Sequence, residues 1–174
     1  MRRLSLNARQ ALETANSGDP EILLIRIDHE SLSKPVRLST DPTERLSVEP
    51  LIYGTRSIWF GANLKTDPYL FALVKAEFPS DLEDAPATAR IILENVSNDI
   101  AAQLRAITNF ASVAIAVVLS SSPNVVEAEF RNLKLVKADG DANEFSLNLS
   151  RLPIEEESFP TDRMTKQRAP GLHR

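Results

Sequence analysis

ASVAIAVVLSSSPNVVEAEFRNLKLVKADGDANEFSLNLSR, residues 111–151, decides the fold class. Its first nine residues are apolar except for Ser112. An apolar run of strand length, rich in Val and Ile, reads as a strand buried on both faces, and we place that strand at 113–121. A second strand is expected at 125–138, where Phe130, Leu133 and Leu135 stand among Glu127, Glu129, Arg131, Lys134 and Lys137. A third is expected at 144–151. Asp139-Gly140 opens the link between them, and Asp, Gly and Asn tolerate the positive φ of a hairpin turn. The stretch therefore reads as an antiparallel meander.

Just before it, 98–107 is the clearest helix. Ser97 is the expected N-cap, and Asp99 falls in the first turn, where the helix dipole favours an anion. Ile100, Ala101, Leu104, Ala106 and Ile107 form its apolar stripe. A strand at 87–96 leads into it. An earlier strand at 69–78 precedes an acidic loop, with Asp81, Glu83 and Asp84 between Pro79 and Pro86. Residues 40–67 contain Pro42, Pro50, Gly54 and Gly61 and read as short strands, at 51–53 and 57–60, joined by a long exposed loop. Residues 21–30 and 36–39 read as a hairpin. Ser5 is placed to cap a short helix carrying Leu6, Ala8, Ala11 and Leu12, which stops by Gly18-Asp19-Pro20. So short a helix is marginal alone and must dock. Beyond Pro153 the periodicity ends. The expected fold is mainly β, with one packed helix and a short N-terminal helix. It is an antiparallel β-sandwich or split barrel, as a single domain over 1–152 followed by an extended C-terminal arm over 153–174.

The chain has 174 residues, of which 43% are apolar, enough for one domain with a real core. Its net charge of −4 argues against nucleic-acid binding, which favours a basic domain. The absence of cysteine excludes disulfides, thiolate ligands and a cysteine nucleophile. No apolar run approaches the roughly 18–20 residues that span a bilayer, so no membrane insertion is expected. Asn7, Arg9 and Gln10 interrupt what would be the apolar part of a signal peptide, so folding in a cytoplasm is expected.

Few residues suggest chemistry. Asp81, Glu83 and Asp84 could serve as acid and base or hold a metal, but a charged loop bounded by prolines reads first as solvated surface. Asp139, Asp141 and Asn143 match the opening ligand positions of a calcium loop. Glu144 then stands where glycine is required, and Ser150 where a bidentate glutamate is required, so a hairpin turn explains them better. The only histidines are His29 and His173, and no G-x-S-x-G, H-E-x-x-H or P-loop pattern occurs. No catalytic, cofactor or metal residue is assigned. Trp59, between Ile58 and Phe60, is either a packed core residue or an interface anchor. In the arm, Glu155-Glu156-Glu157 precedes Phe159-Pro160, and Arg163, Met164, Lys166, Arg168 and Leu172 follow. Spaced apolar pegs on an extended segment suit docking across a neighbour. The interface candidates are therefore Trp59, Phe159, Arg163, Met164 and Leu172.

Three segments carry a family resemblance: RRLSLNARQALETANSGDPEILLIRIDHESLSKPVRLSTD at 2–41, ATARIILENVSNDIAAQLRAI at 87–107, and FPTDRMTKQRAPGL at 159–172. The chain resembles minor tail and tail-tip proteins, of the distal tail or baseplate, from long-tailed phages and prophages. The resemblance implies a variant of the tail-tube fold, assembled as a ring around the tail channel between the tail tube and the hub or fibres. It implies partners in copies of itself and in adjacent tail-tube, hub or tail-tip proteins, with genome DNA passing through without specific binding. The implied location is the virion tail tip. Some tail-tip proteins carry an iron–sulfur cluster on cysteines; this chain has none, so no cofactor is carried over. A structural role without catalysis is expected. The alternatives are a tail assembly factor absent from the virion, or a cell-wall hydrolase using Asp81, Glu83 or Asp84. Threefold and sixfold symmetry both remain open.

Overall fold

Two neighbouring strands bury both of their faces, and the fold is built outward from them. The computed structural model describes residues 5–14, 18–77, 88–94, 97–107, 110–140 and 144–151. In chain order the elements are α1 (Leu6–Glu13), β1 (Glu21–Asp28), β2 (Val36–Ser39), β3 (Glu44–Ser47), β4 (Ile52–Thr55), β5 (Tyr69–Phe71), β6 (Leu73–Glu77), β7 (Thr88–Glu94), α2 (Asn98–Arg105), β8 (Ala111–Leu119), β9 (Ser122–Gly140) and β10 (Glu144–Arg151). A 3-10 turn at Trp59–Gly61 interrupts the link from β4 to β5. The strands form one sheet in the order β3-β4-β5-β2-β1-β8-β9-β10-β7-β6.

The apolar run at 111 forms β8, which pairs antiparallel with β1 from Glu21↔Leu119 to Asp28↔Ser112. Side chains alternate across a strand, so each of these two strands feeds two cores. On one face Ala111, Val113 and Ile115 of β8 join Ile25 and Ile27 of β1. On the other Ala114, Ala116 and Val118 join Ile22 and Leu24. Each fully buried Leu or Ile here contributes roughly 1.5–3 kcal/mol. The first core is the larger, and α2 seals it with Ile100, Ala101 and Leu104. Leu38 of β2 and Leu93 of β7 share this core, although their strands stand five places apart in the sheet. The sheet therefore curls around α2 as a half-barrel. Irregularities in β9 help it bend. Ile115 faces Phe130 while Val113 faces Leu133, so β9 bulges there, and Asn132 takes φ 61.

The expected mainly β architecture with one packed helix and a short N-terminal helix is present. Two finer expectations are corrected. Among the described residues there is one curled sheet rather than the two sheets of a sandwich, and the half-barrel is nearer the split-barrel alternative. Nor is the sheet wholly antiparallel, because β2 and β5 pair parallel through Leu38↔Leu70 and Ser39↔Phe71. The single strand expected at 69–78 is two strands, β5 beside β2 and β4, and β6 beside β7. The chain changes partners at buried Ala72, whose N–H donates to Ser39 O at 2.9 Å. The piece expected as a strand at 57–60 is the 3-10 turn instead. β4 lies so close to β5 that a Cβ on Gly54 would meet the Tyr69 carbonyl oxygen at 2.0 Å, which only glycine avoids.

Both helices are capped as expected. Ser5 Oγ accepts from Ala8 N, and Ser97 Oγ accepts from Ile100 N. Asp99 and Arg105 complement the two ends of the α2 dipole. α1 does not dock through its apolar stripe. Ala8 alone is buried, while Leu6 and Leu12 are 80% and 67% exposed. Glu127 of β9 holds the helix instead, accepting from Ser5 N at 2.9 Å. The acidic loop with Asp81, Glu83 and Asp84, and the arm over 153–174, lie outside the described residues.

Leu104 is 1% exposed in the larger core. Leu104→Asp puts an unpartnered carboxylate there and is expected to cost about 3 kcal/mol or more. Urea unfolding followed by circular dichroism checks this; a midpoint equal to the parent's would contradict the placement of α2.

Candidate functional site

The outer face of β1 and β8 offers small residues, Ala114 and Ala116, beside Ile22 and Leu24. The loop between β4 and β5 covers this shelf. Its entry is fixed by Ser57, whose Oγ donates to Pro123 O at 2.7 Å, and by Ile58 N, which donates to Asn124 Oδ1 at 2.9 Å. Trp59 is thereby laid on the shelf, 6% exposed, with Nε1 donating to Glu129 Oε1 at 2.8 Å. Tyr69 is fully buried under it, and its hydroxyl donates to Trp59 O at 2.9 Å. Of the two readings open for Trp59, packing within its own chain is what the geometry displays.

Phe60 follows with φ 54 and Gly61 with φ 67, both left-handed. A bulky residue there is strained by about 1 kcal/mol or more. Ring contacts offset this. The Phe60 ring meets Trp59 edge-on at 4.9 Å, and the guanidinium groups of Arg26 and Arg131 lie 4.7 and 4.9 Å from its centroid. Each such cation–π contact contributes roughly 0.5–1 kcal/mol where solvent reaches it. The loop thus presents exposed Ile58, Phe60 and Leu64 on a rigid base flanked by arginines. Aromatic side chains and arginine are the residue types enriched at protein interfaces.

The charges on this face are paired locally. Arg26 pairs with Asp28 at 2.6 Å, Arg131 with Glu129 at 2.7 Å, and Arg37 with Asp67 at 3.8 Å. Asp67 is held below the usual carboxylate range, chiefly by the backbone hydrogen bond from Asn63, with Thr66, Arg37 and Lys34 adding to it. Burial pushes the Tyr69 hydroxyl above its usual value of 10.0, against smaller opposing pulls from Arg37 and Arg26.

A second feature lies at the C-terminal end of α2. A groove of about 640 Å³ opens between that helix end and the adjoining parts of β9 and β10. Leu104, Ile107, Phe110, Val136 and Phe145 give it apolar walls, and Phe110 and Val136 are 62% and 55% exposed. The Arg105 guanidinium stacks 5.1 Å from the Phe145 ring centroid, and Lys137 pairs with Asp139 at 2.7 Å.

The remaining sequence candidates fall elsewhere. Asp139 is in that ion pair, and Asp141 and Asn143 lie outside the described residues, as do Phe159, Arg163, Met164, Leu172 and His173. His29 is a turn residue, its Nδ1 accepting from Ser31 N at 3.1 Å. Among the described residues no three His, Cys, Asp or Glu side chains gather as a metal site would require. Sequence reading missed Arg26, Phe60 and the groove. The Phe60-Gly61 pair was the one local signal, since glycine marks turns that need positive φ. No protein-family model matches the chain, and no curated protein matches it.

The Tyr69 shift has a defined sign. A raised folded-state pKa means its contribution is complete below pH about 10 and is lost as pH rises through the folded value. Tyr69→Phe is expected to cost about 1 kcal/mol at neutral pH, from the lost hydrogen bond to Trp59 O. The gap between parent and variant should narrow above pH about 10, where the unfolded parent ionises. Urea unfolding at both pH values checks this; a gap that widens in alkali would contradict it.

Proposed function

We propose that this chain is a structural subunit of a phage-type tail. It forms a ring around the tail channel near the tip and joins the tail tube to the hub or fibres. The observation that carries this reading is the curled sheet wrapped on one helix, with outer strands β3 and β6 that pair on one side only among the described residues. An edge strand leaves N–H and C=O groups unpaired and templates pairing with another chain. Val48, Leu51 and Tyr53 are exposed on the β3–β4 hairpin, as are Leu73 on β6 and Leu6 and Leu12 on α1. Val48, Leu51 and Tyr53, close together in sequence on one hairpin beside edge strand β3, suit a surface that a neighbour covers. The quoted sequence resemblance points the same way, and likeness to the tail-tube fold is part of this reading.

The role is geometric rather than catalytic. Copies of the chain meet through one heterologous interface repeated about an axis, which closes a ring. The Trp59–Phe60 loop serves as one contact surface. The arm over 153–174 lies on a neighbouring copy or on an adjacent ring, where Phe159, Met164 and Leu172 fill pockets. Arg163 pairs with acidic surface, which a chain of net charge −4 supplies. DNA passes the channel without specific binding.

Quantitative mass spectrometry of purified tails tests this. The chain is expected in a fixed copy number divisible by three, and a variant truncated after Leu152 is expected to fold yet be missing from tails. Presence only in unassembled lysate would favour an assembly factor. Release of wall fragments by the purified protein, lost on neutralising Asp81, Glu83 and Asp84 together, would overturn the structural reading in favour of a hydrolase.

A further inference from the structure

We propose that the groove at the C-terminal end of α2 receives Phe159 from a second copy of this chain, with Glu155, Glu156 and Glu157 lying along its basic rim. This rests on the ring-subunit reading and names the surface that holds the arm.

The groove is the right size and kind. Its volume of about 640 Å³ admits an aromatic side chain together with the backbone that carries it. Pockets that take drug-sized ligands are about 300–1,000 Å³. Its walls are part polar and part apolar, and the apolar side chains of Phe110 and Val136 remain exposed in the single chain. The rim is basic. Stacking on the Phe145 ring fixes Arg105 there. Lys137 is paired with Asp139, but both side chains are more than half exposed. Such surface pairs are worth about 0–1 kcal/mol, so an incoming carboxylate can replace Asp139 at little cost.

The occupant is specified by charge and sequence. Residues 152–174 lie beyond β10 and contain one phenylalanine, Phe159, preceded by three consecutive glutamates at 155–157. Exposed Phe110 and Val136 beside Arg105 and Lys137 match an aromatic residue that follows an acidic run. The residue before a proline disfavours the helical region, and Phe159 precedes Pro160, as suits a peptide laid in a groove.

Distance selects the neighbour's arm over the chain's own. β10 starts at the groove with Phe145 and runs to Arg151, six residues or roughly 20 Å away. Only eight residues, 152–159, follow before the aromatic ring. Reversing direction uses two or three of them, and the rest span at most about 17–20 Å when fully extended. The chain's own Phe159 therefore reaches only with those residues fully extended, which leaves its arm no slack. A second copy has no such constraint. One buried aromatic removes about 150–250 Å² from water, far below the ~1,200 Å² of a stable pairwise complex. Two free chains therefore bind weakly, and ring closure supplies the remaining strength.

The absence of native cysteine makes disulfide trapping a clean test. Full-length Val136→Cys protein carrying a size tag is mixed, in concentrated solution with mild oxidant, with untagged Ser158→Cys protein, which keeps the Phe159 ring. Val48→Cys, exposed on the distant β3–β4 hairpin, replaces Val136→Cys in the control. The expected result is a tagged–untagged disulfide pair in several-fold higher yield than the control. Adding Lys137→Glu to the groove chain should lower that yield, and adding Glu156→Lys to the arm chain should restore it. Equal yields from both cysteine positions, or no linked pair, would overturn the proposal. So would a double Val136→Cys/Ser158→Cys chain that closes on itself as a monomer. If trapping fails while the chain truncated after Leu152 is still excluded from tails, the groove is wrong and the arm reading stands. If the truncated chain enters tails normally, both fall.

Discussion

Continuity of the chain through Ala72 forces the shape of the molecule. Phe71 belongs to β5 and faces Ser39 of β2, while Leu73 belongs to β6 and faces Glu94 of β7. In the sheet order these strands stand third and tenth. Laid flat, seven strand spacings would separate them by roughly 34 Å. Two residues flanking a single alanine are no more than about 7.6 Å apart. The sheet must therefore curl until its two ends approach, and the small buried side chain of Ala72 lets them do so. One face becomes concave and is filled by α2. The other becomes convex and needs its own cover, which the Trp59 loop supplies.

This division explains which features were legible in the sequence. The nine-residue apolar run of β8 announces burial on both faces, and α2 announces itself by its cap and stripe, because each signal is complete within one element. The region at 40–67 is different. Its strands β3 and β4 are four residues long, too short for a period to register, and the other partner of β4 is β5, beyond the Trp59 loop. The parallel contact of Leu38 with Leu70 leaves no local trace. Phe60 and the arginines beside it come together only after folding, as does Trp59 with Glu129, 70 positions away. Glu127 reads as a solvent-face residue of an alternating strand. It is in fact 8% exposed, because α1 rests on it through Ser5.

The concave and convex faces also divide the labour that a tail ring would require. The concave core is filled with side chains from strands at both ends of the sheet, so it provides stiffness rather than a ligand cavity. The apolar residues left over lie on the Trp59 loop, the β3–β4 hairpin, α1, the rim of the α2 groove, and at Leu73 of β6 and Val125 of β9. These are outer positions, spread over several elements, as a subunit with neighbours on more than one side would need. Ion pairs such as Arg26 with Asp28 and Arg131 with Glu129 keep that surface locally neutral, so contacts there gain more from shape and apolar area than from net attraction.

Hydrogen–deuterium exchange on the free chain and on assembled tails tests most directly the claim that a stiff curled core carries edges meant for neighbours. In the free chain the amides of β1 and β8 are predicted to exchange slowest, near the rate of global unfolding, and those of β3 and β6 faster. In tails the β3 and β6 amides should become protected while β1 and β8 change little. Edge strands as slow as β8 in the free chain, or unchanged on assembly, would contradict the account.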